Sequence, residues 1–303
     1  MADHDGTFEE MTFTARDGLR LYARRYPAPD TGRRPVLCLA GLTRNSRDFH
    51  RLALHLSQHR TAPRTVYTMD YRGRGRSDHD PDWRNYALPI EMLDVIDFMT
   101  VVSLHDAAVV GTSRGGLIAT LMAAAQPSTI GALVLNDIGP VIEADGLMRI
   151  AGYVGRMPLP GSWEAATAMV RDLNKRQFPA VTDAEWDEFA RQLFNERNGR
   201  PAPGYDAKLA RSLSVLDGPM PALWPQFTAL TRVPVLVLRG EHSDILSAAT
   251  VEEMGRRHPM LASYVVPGQG HAPLLMDAET LARVTDFLEH TDAARLARPR
   301  AVA

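Results

Sequence analysis

The stretch Ala107-Ala108-Val109-Val110-Gly111-Thr112-Ser113-Arg114-Gly115-Gly116-Leu117-Ile118 decides the fold. Ala107 to Val110 is a short apolar run of the kind found in strands buried on both faces. Leu117, Ile118, Leu121, Met122 and Ala125 then recur at helical spacing, and Pro127 stops the helix. The six residues between strand and helix include three glycines. A link that short forces a sharp turn. Gly111 and Gly115, two before and two after Ser113, let the backbone pass close to itself. The turn is expected to stand Ser113 at the C-terminal edge of the sheet. Behind it lies a helix N-terminus with free N–H groups and a positive dipole end.

Strand and helix signals alternate on either side of this unit. Met11 to Arg16 and Leu19 to Arg25 flank Asp17-Gly18, a hairpin-turn dipeptide, and predict two antiparallel strands. Pro35 to Ala40 and Thr65 to Met69 predict buried strands, with a helix from Phe49 to His59 between them. Ile90 to Val102 predicts a second helix, and Ala132 to Leu135 a fourth buried strand. Strand signals return at Val233 to Leu238 and Ser263 to Val266, with helix signals at Ala248 to Arg257 and Leu274 to Leu288. Alternating βα units with short buried strands imply a mostly parallel sheet covered by helices on both faces.

From Gly139 to Pro225 no buried strand signal occurs. Amphipathic stretches run instead around Leu147 to Val154, Trp163 to Leu173, Asp183 to Phe194 and Tyr205 to Leu213. Thr182-Asp183-Ala184-Glu185 has the spacing of a capping box for the third. Gly, Pro and Asn clusters at Met157 to Gly161, Asn198 to Gly204 and Asp217 to Pro221 separate them. The expected organisation is a core of residues 1–138 and 226–303 with an all-helical insertion at 139–225.

Composition narrows the function classes. The 303 residues carry 34 basic and 36 acidic side chains, a net charge of −2. That balance offers no electrostatic reason to expect a nucleic-acid or anionic-membrane partner. The single cysteine, Cys38, allows no intrachain disulfide and no multi-cysteine metal site. It falls in an apolar run and reads as a buried, inert thiol. The acidic start, Met1 to Gly6, lacks the basic and apolar regions of a signal peptide, and no apolar run reaches membrane-span length. The expectation is a cytoplasmic protein acting on a small molecule, with a frayed tail from Ala294 to Ala303. Its oligomeric state is not legible.

A serine hydroxyl is a poor nucleophile at neutral pH and needs a base and an orienting acid. Among ten histidines, His271 lies in Pro267-Gly268-Gln269-Gly270-His271-Ala272-Pro273, between the last strand and the last helix signal. Loops at the C-terminal ends of strands are where ligands bind in open α/β sheets. His50, His55 and His59 read as solvated positions on one helix, His258 as a helix C-terminal residue, and His242 as the only other loop candidate. For the acid, Asp244 follows the strand Val233 to Leu238 and is the first choice. Asp137, after the strand Ala132 to Leu135, is the alternative, and Glu241 a third option. Ser113, Asp244 and His271 all fall at strand ends, in the order serine, acid, histidine.

On these residues the chain resembles the α/β-hydrolase superfamily over essentially its whole length. Leu39-Ala40-Gly41-Leu42-Thr43, Met69-Asp70-Tyr71-Arg72-Gly73-Arg74-Gly75-Arg76-Ser77, the Ser113 turn and Gly268-Gln269-Gly270-His271 carry the likeness. The resemblance implies an eight-stranded sheet and a cap between its sixth and seventh strands. It also implies an oxyanion hole formed by the N–H groups of Leu42 and Arg114, although Ala40 stands where the family usually has histidine. The Arg72 to Arg76 run becomes a structural turn rather than a phosphate-binding loop. Met148, Met157, Trp163, Met169, Trp186 and Trp224 are candidates for an apolar pocket wall. The implied activity is hydrolysis of a small, largely apolar carboxylic ester or lactone through an acyl-enzyme, without metal or organic cofactor. A carbon–carbon hydrolase of acidic ring-cleavage products is the alternative, for which Arg114, Arg149 and Arg156 are the residues to watch. A non-catalytic ligand-binding protein is the other.

Overall fold

The computed structural model describes residues 6–214 and 221–296. Ten strands are present among them: β1 Glu9–Thr14, β2 Arg20–Tyr26, β3 Val36–Leu39, β4 Val66–Met69, β5 Ala107–Thr112, β6 Ile130–Asn136, β7 Asn195–Arg197, β8 Arg200–Ala202, β9 Val235–Gly240 and β10 Leu261–Val266. Eight of these build one sheet in the order β1-β2-β4-β3-β5-β6-β9-β10. β1 with β2 and β2 with β4 pair antiparallel, and every other neighbouring pair is parallel. The α-helices are α1 His50–Ser57, α2 Leu88–Val101, α3 Arg114–Ala125, α4 Ala144–Tyr153, α5 Trp163–Asn174, α6 Asp183–Leu193, α7 Leu209–Ser214, α8 Trp224–Thr228, α9 Ala248–Arg257 and α10 Ala278–Leu296.

The strands are apolar on both faces because both faces are covered. Leu37, Leu39, Val109, Leu133 and Val237 point into a core shared with Phe98 of α2, Ile118 of α3 and Phe227 of α8. Their neighbours Val36, Cys38, Val110, Val134 and Leu236 point the other way, against Leu52 and Leu56 of α1 and Leu281 and Leu288 of α10. This is the period-two alternation of a strand, hidden in the sequence because each side is equally apolar. Cys38 is fully buried in the second core.

Between β6 and β9 the chain leaves the sheet. α5 and α6 pack on each other around Ala166, Val170, Phe178, Trp186 and Ala190, a small core of their own. Thr182 and Glu185 cap α6 reciprocally, as their spacing predicts. This segment is not all-helical. β7 and β8 form an antiparallel hairpin across Asn198 and Gly199, whose φ values are +54° and +72°. Asn-Gly is a strong signal for such a two-residue turn, and the sequence reading treats it only as a separator. α10 runs on to Leu296, so Ala294 to Leu296 are helical rather than frayed. The rest of that tail, Met1 to Asp5, and all but Pro221 of the Asp217 to Pro221 separator lie outside the described residues. Among the described residues no helix is long and apolar enough to cross a membrane.

α3 starts almost in contact with the ends of β3 and β5. A Cβ on Gly115 would lie 2.1 Å from the Leu39 carbonyl oxygen, and one on Gly111 2.6 Å from Gly116 Cα. Both obstacles are backbone. Gly152, inside α4, has nothing within 4 Å of a Cβ. Gly115→Ala is therefore expected to cost about 2 kcal/mol or more in denaturant unfolding. Gly152→Ala is expected to be neutral or to stabilise by up to about 1 kcal/mol. Equal effects of the two substitutions would contradict the packing described.

Candidate active site

Ser113 occupies the turn between β5 and α3 with φ +51° and ψ −114°. Its N–H donates to Asn136 O at 3.0 Å, which ties the turn to the end of β6. Asn136 is buried, and its amide donates to Thr112 Oγ1 at 3.0 Å and to Pro273 O at 2.9 Å, two residues beyond His271. One side chain thus ties the Ser113 turn to the histidine loop.

His271 Nε2 lies 2.9 Å from Ser113 Oγ, and its Nδ1 lies 2.7 Å from Asp137 Oδ2. An ionised carboxylate accepts only, so pairing with it puts the proton on Nδ1 and leaves Nε2 to accept from the serine hydroxyl. Asp137 is fully buried just past β6, with φ +56°. It also accepts from Gly240 N at 2.8 Å on Oδ1 and from Ser243 Oγ at 2.6 Å on Oδ2. Three donors hold its carboxylate in one orientation.

The acid expected first, Asp244, is not in this relay. It pairs with Arg149 of α4 through two parallel hydrogen bonds, Nε–Oδ2 at 2.5 Å and Nη2–Oδ1 at 2.8 Å. Burial pushes the Asp244 carboxyl up, but Arg149 outweighs it and holds the group below the usual range. Glu241, the third option, accepts from Gly268 N at 2.8 Å, and His242 N donates to Gln269 O at 2.9 Å. Both therefore anchor the histidine loop from the far side of β9. His50, His55 and His59 are half-buried rather than solvated, with His55 Nε2 3.0 Å from Thr285 Oγ1. His258 is buried, its Nε2 2.8 Å from Leu230 O.

The Arg114 guanidinium is engaged by Glu91 and Tyr86. Nε donates to Glu91 Oε2 at 2.6 Å and Nη2 to Tyr86 O at 3.0 Å. The other Glu91 oxygen accepts from Arg74 Nη1 at 2.5 Å, and Arg74 Nε donates to Leu42 O at 2.9 Å. Glu91 and Arg74 are fully buried. One carboxylate therefore links the residue after Ser113 to the residue after Gly41. Burial pushes the Glu91 carboxyl up, and the two guanidinium groups overcome this and hold it below its ordinary value. Neither Leu42 N–H nor Arg114 N–H has an acceptor among the described residues. Arg72 and Arg76 are spent like Arg74: Arg72 pairs with Asp94, Asp80 and Asp17, and Arg76 with Glu10.

Two chambers meet at Ser113, sharing Leu42 and Ile150 as walls. One, of about 240 Å³, holds His271 with Arg44, Asp48, Arg149, Tyr153 and Gln192. The other, of about 470 Å³, is apolar and includes Trp83, Leu88, Leu117, Ile142 and Leu213. Of the six Met and Trp residues singled out in the sequence, only Met157 lines either chamber. Trp163, Met169 and Trp186 fill the core between α5 and α6, Trp224 packs on Phe227, and Met148 is exposed. Trp83, which the sequence reading passed over, lines the apolar chamber. Of the arginines named for the carbon–carbon alternative, Arg149 lines the chamber with His271, Arg114 lines the apolar one, and Arg156 lines neither.

The sequence pattern of the Alpha/beta hydrolase family matches residues 36–284. The 3-hydroxybutyrate-oligomer hydrolase of Cupriavidus necator is 31% identical over 263 residues, covering 84% of this chain and 88% of that protein. The 2-(acetamidomethylene)succinate hydrolase of Mesorhizobium japonicum is 28% identical over 260 residues, covering 84% and 87%. The crystal structure of an alpha/beta hydrolase from Novosphingobium aromaticivorans superimposes with a TM-score of 0.86 at 39% identity, covering 93% of this chain and 98% of that one. With the strand order, the turn at Ser113 and these matches in hand, the chain belongs to the α/β-hydrolase family and is a hydrolase.

Proposed function

We propose that the protein hydrolyses small carboxylic esters through an acyl-enzyme on Ser113. The observation that carries the reading is the unbroken relay Asp137–His271–Ser113, with heavy-atom distances of 2.7 and 2.9 Å. In this mechanism Ser113 Oγ attacks the ester carbonyl as its proton passes to His271 Nε2. Asp137 holds the ring through Nδ1–H and stabilises the imidazolium. The N–H groups of Leu42 and Arg114 receive the oxyanion, each worth about 3 kcal/mol of transition-state stabilisation. Collapse of the tetrahedral intermediate expels the alkoxide, which takes the proton from His271. Water then attacks the acyl-enzyme with His271 as base, and Ser113 is released. The segment 139–225 acts as a cap: Ile150, Tyr153 and Gln192 line the chamber that holds His271, and Ile142 and Leu213 the apolar one. Of the arginines that the carbon–carbon hydrolase alternative asks for, Arg114 is engaged by Glu91, while Arg149, paired with Asp244, lines the chamber that holds His271.

In this reading Glu91 is a positioning residue, because it braces the two residues whose N–H groups meet the oxyanion. Glu91→Gln is expected to lower kcat about tenfold with little change in KM, since the lost interaction serves the transition state. A rise in KM at constant kcat would contradict the role. The folded state holds this carboxyl below its ordinary value of 4.5. Its stability contribution is therefore complete above that value and is lost as the pH falls through the lower, folded one. Urea midpoints measured across that acid range should fall less steeply in Glu91→Gln than in the wild type.

Steady-state turnover of p-nitrophenyl esters tests the relay. Ser113→Ala is expected to abolish both turnover and fluorophosphonate labelling. Asp137→Asn is expected to lower kcat by about a thousandfold or more, since the wrong tautomer is then favoured. Asp244→Asn should cost far less. Loss of activity in Asp244→Asn with Asp137→Asn intact would reverse the assignment of the acid.

A further inference from the structure

The two chambers are chemically unequal, and the histidine lies in only one of them. His271 must hand its proton to the departing alkoxide, so the leaving group departs into the chamber that His271 lines. The apolar chamber lacks His271 and is left for the acyl chain. This assignment rests on the ester-hydrolase reading above.

The leaving-group chamber contains two arginines arranged alike. Arg44 spends Nε and Nη2 on Asp48, both at 2.7 Å. Arg149 spends the same two nitrogens on Asp244. Arg44 Nη1 has no hydrogen-bond acceptor among the described residues, Arg149 has only the Tyr153 phenol beside it besides Asp244, and both side chains line the cleft beside Ser113. Each aspartate fixes its guanidinium in one orientation, which lowers the ordering cost of a further bond. Both guanidinium groups also lie within electrostatic reach of the Tyr153 phenol, which lines the same chamber. The two aspartates match the two arginine charges one for one, so what the pairs offer a ligand is oriented N–H donors without net charge, which suits a monoanion better than a phosphate dianion. A carboxylate, planar and singly charged, matches donors of this geometry.

We infer that the preferred substrates are esters of hydroxycarboxylic acids, with the leaving hydroxy acid's carboxylate bound by Arg44 and Arg149 and an uncharged acyl chain in the apolar chamber. The products are then the carboxylic acid of the acyl chain and a free hydroxycarboxylate, formed with one water consumed.

The test compares three esters. 3-(Butanoyloxy)propanoate carries a carboxylate on the alcohol side, 3-(butanoyloxy)propanamide is its neutral near-isostere, and monopropyl succinate carries the carboxylate on the acyl side. Acid release is followed by pH-stat and chromatography. The wild type is expected to favour the propanoate over the propanamide about tenfold or more in kcat/KM, the worth of one charge-assisted hydrogen bond. Monopropyl succinate should be the poorest of the three. Arg149→Gln and Arg44→Gln should each bring the propanoate-to-propanamide ratio toward one. Turnover of the propanamide in the same variants reports that the relay is intact. A wild-type ratio near one, a ratio unmoved in both variants, or a preference for monopropyl succinate overturns the subsite while leaving the hydrolase reading standing. Failure to hydrolyse any of the three overturns the ester-hydrolase reading itself.

Discussion

The approach of α3 to the ends of β3 and β5 governs the architecture of the site. No atom larger than hydrogen fits at Gly111, Gly115 or Gly116 without striking backbone or a buried side chain. That closeness obliges Ser113 to take a left-handed φ, a conformation that costs a non-glycine residue about 1–3 kcal/mol. The strain is held by bonds around it: Ser113 N–H to Asn136 O, and Gly116 N–H and Leu117 N–H back to Ser113 O. The same approach brings the loop after β3 beside the first turn of α3. Leu42 and Arg114 thereby come to flank Ser113, the proposed nucleophile. Glu91 then ties both residues from behind, through Arg114 and through Arg74.

Strand order explains which aspartate meets the histidine. β6 lies directly beside β5, whereas β9 is one strand further from Ser113. A carboxylate just past β6 sits next to the serine strand and still faces the loop beyond β10. The residues past β9 are used differently. Ser243 donates to Asp137, Glu241 and His242 hold the histidine loop, and Asp244 grips Arg149 of α4. The β9 loop thus orients the relay and at the same time ties the 139–225 segment to the core. The breaking of a partly buried ion pair of this kind would loosen that attachment as well as unbalance Arg149.

Much of this was legible in the chain, for local reasons. Short apolar runs give away strands buried on both faces, and the Gly-Thr-Ser-Arg-Gly turn and the loop around His271 carry their own signatures. The choice of acid was not legible, because Asp137 and Asp244 both end strands and both satisfy the order serine, acid, histidine. What separates them in the structure is that Asp137 follows the strand adjoining β5 and meets His271, whereas Asp244 meets a partner 95 residues away in sequence, Arg149. Arg114 offers the same lesson: its neighbour on the chain is Ser113, but its charge is claimed by Glu91. The hairpin at Asn198-Gly199 did carry a local signal, masked by the polar residues around it. Apolar character alone also misdirected the pocket assignment, since Trp163 and Trp186 serve the core between α5 and α6 while Trp83 reaches the apolar chamber.

The central claim is that Asp137, not Asp244, holds the proton on His271 Nδ1. A short bond from imidazole N–H to a buried carboxylate deshields that proton strongly, so proton NMR in water reads it directly. The wild type should show a single far-downfield resonance, absent in His271→Ala and lost or moved sharply upfield in Asp137→Asn. It should persist in Asp244→Asn. A resonance that survives in Asp137→Asn and vanishes in Asp244→Asn would contradict the account.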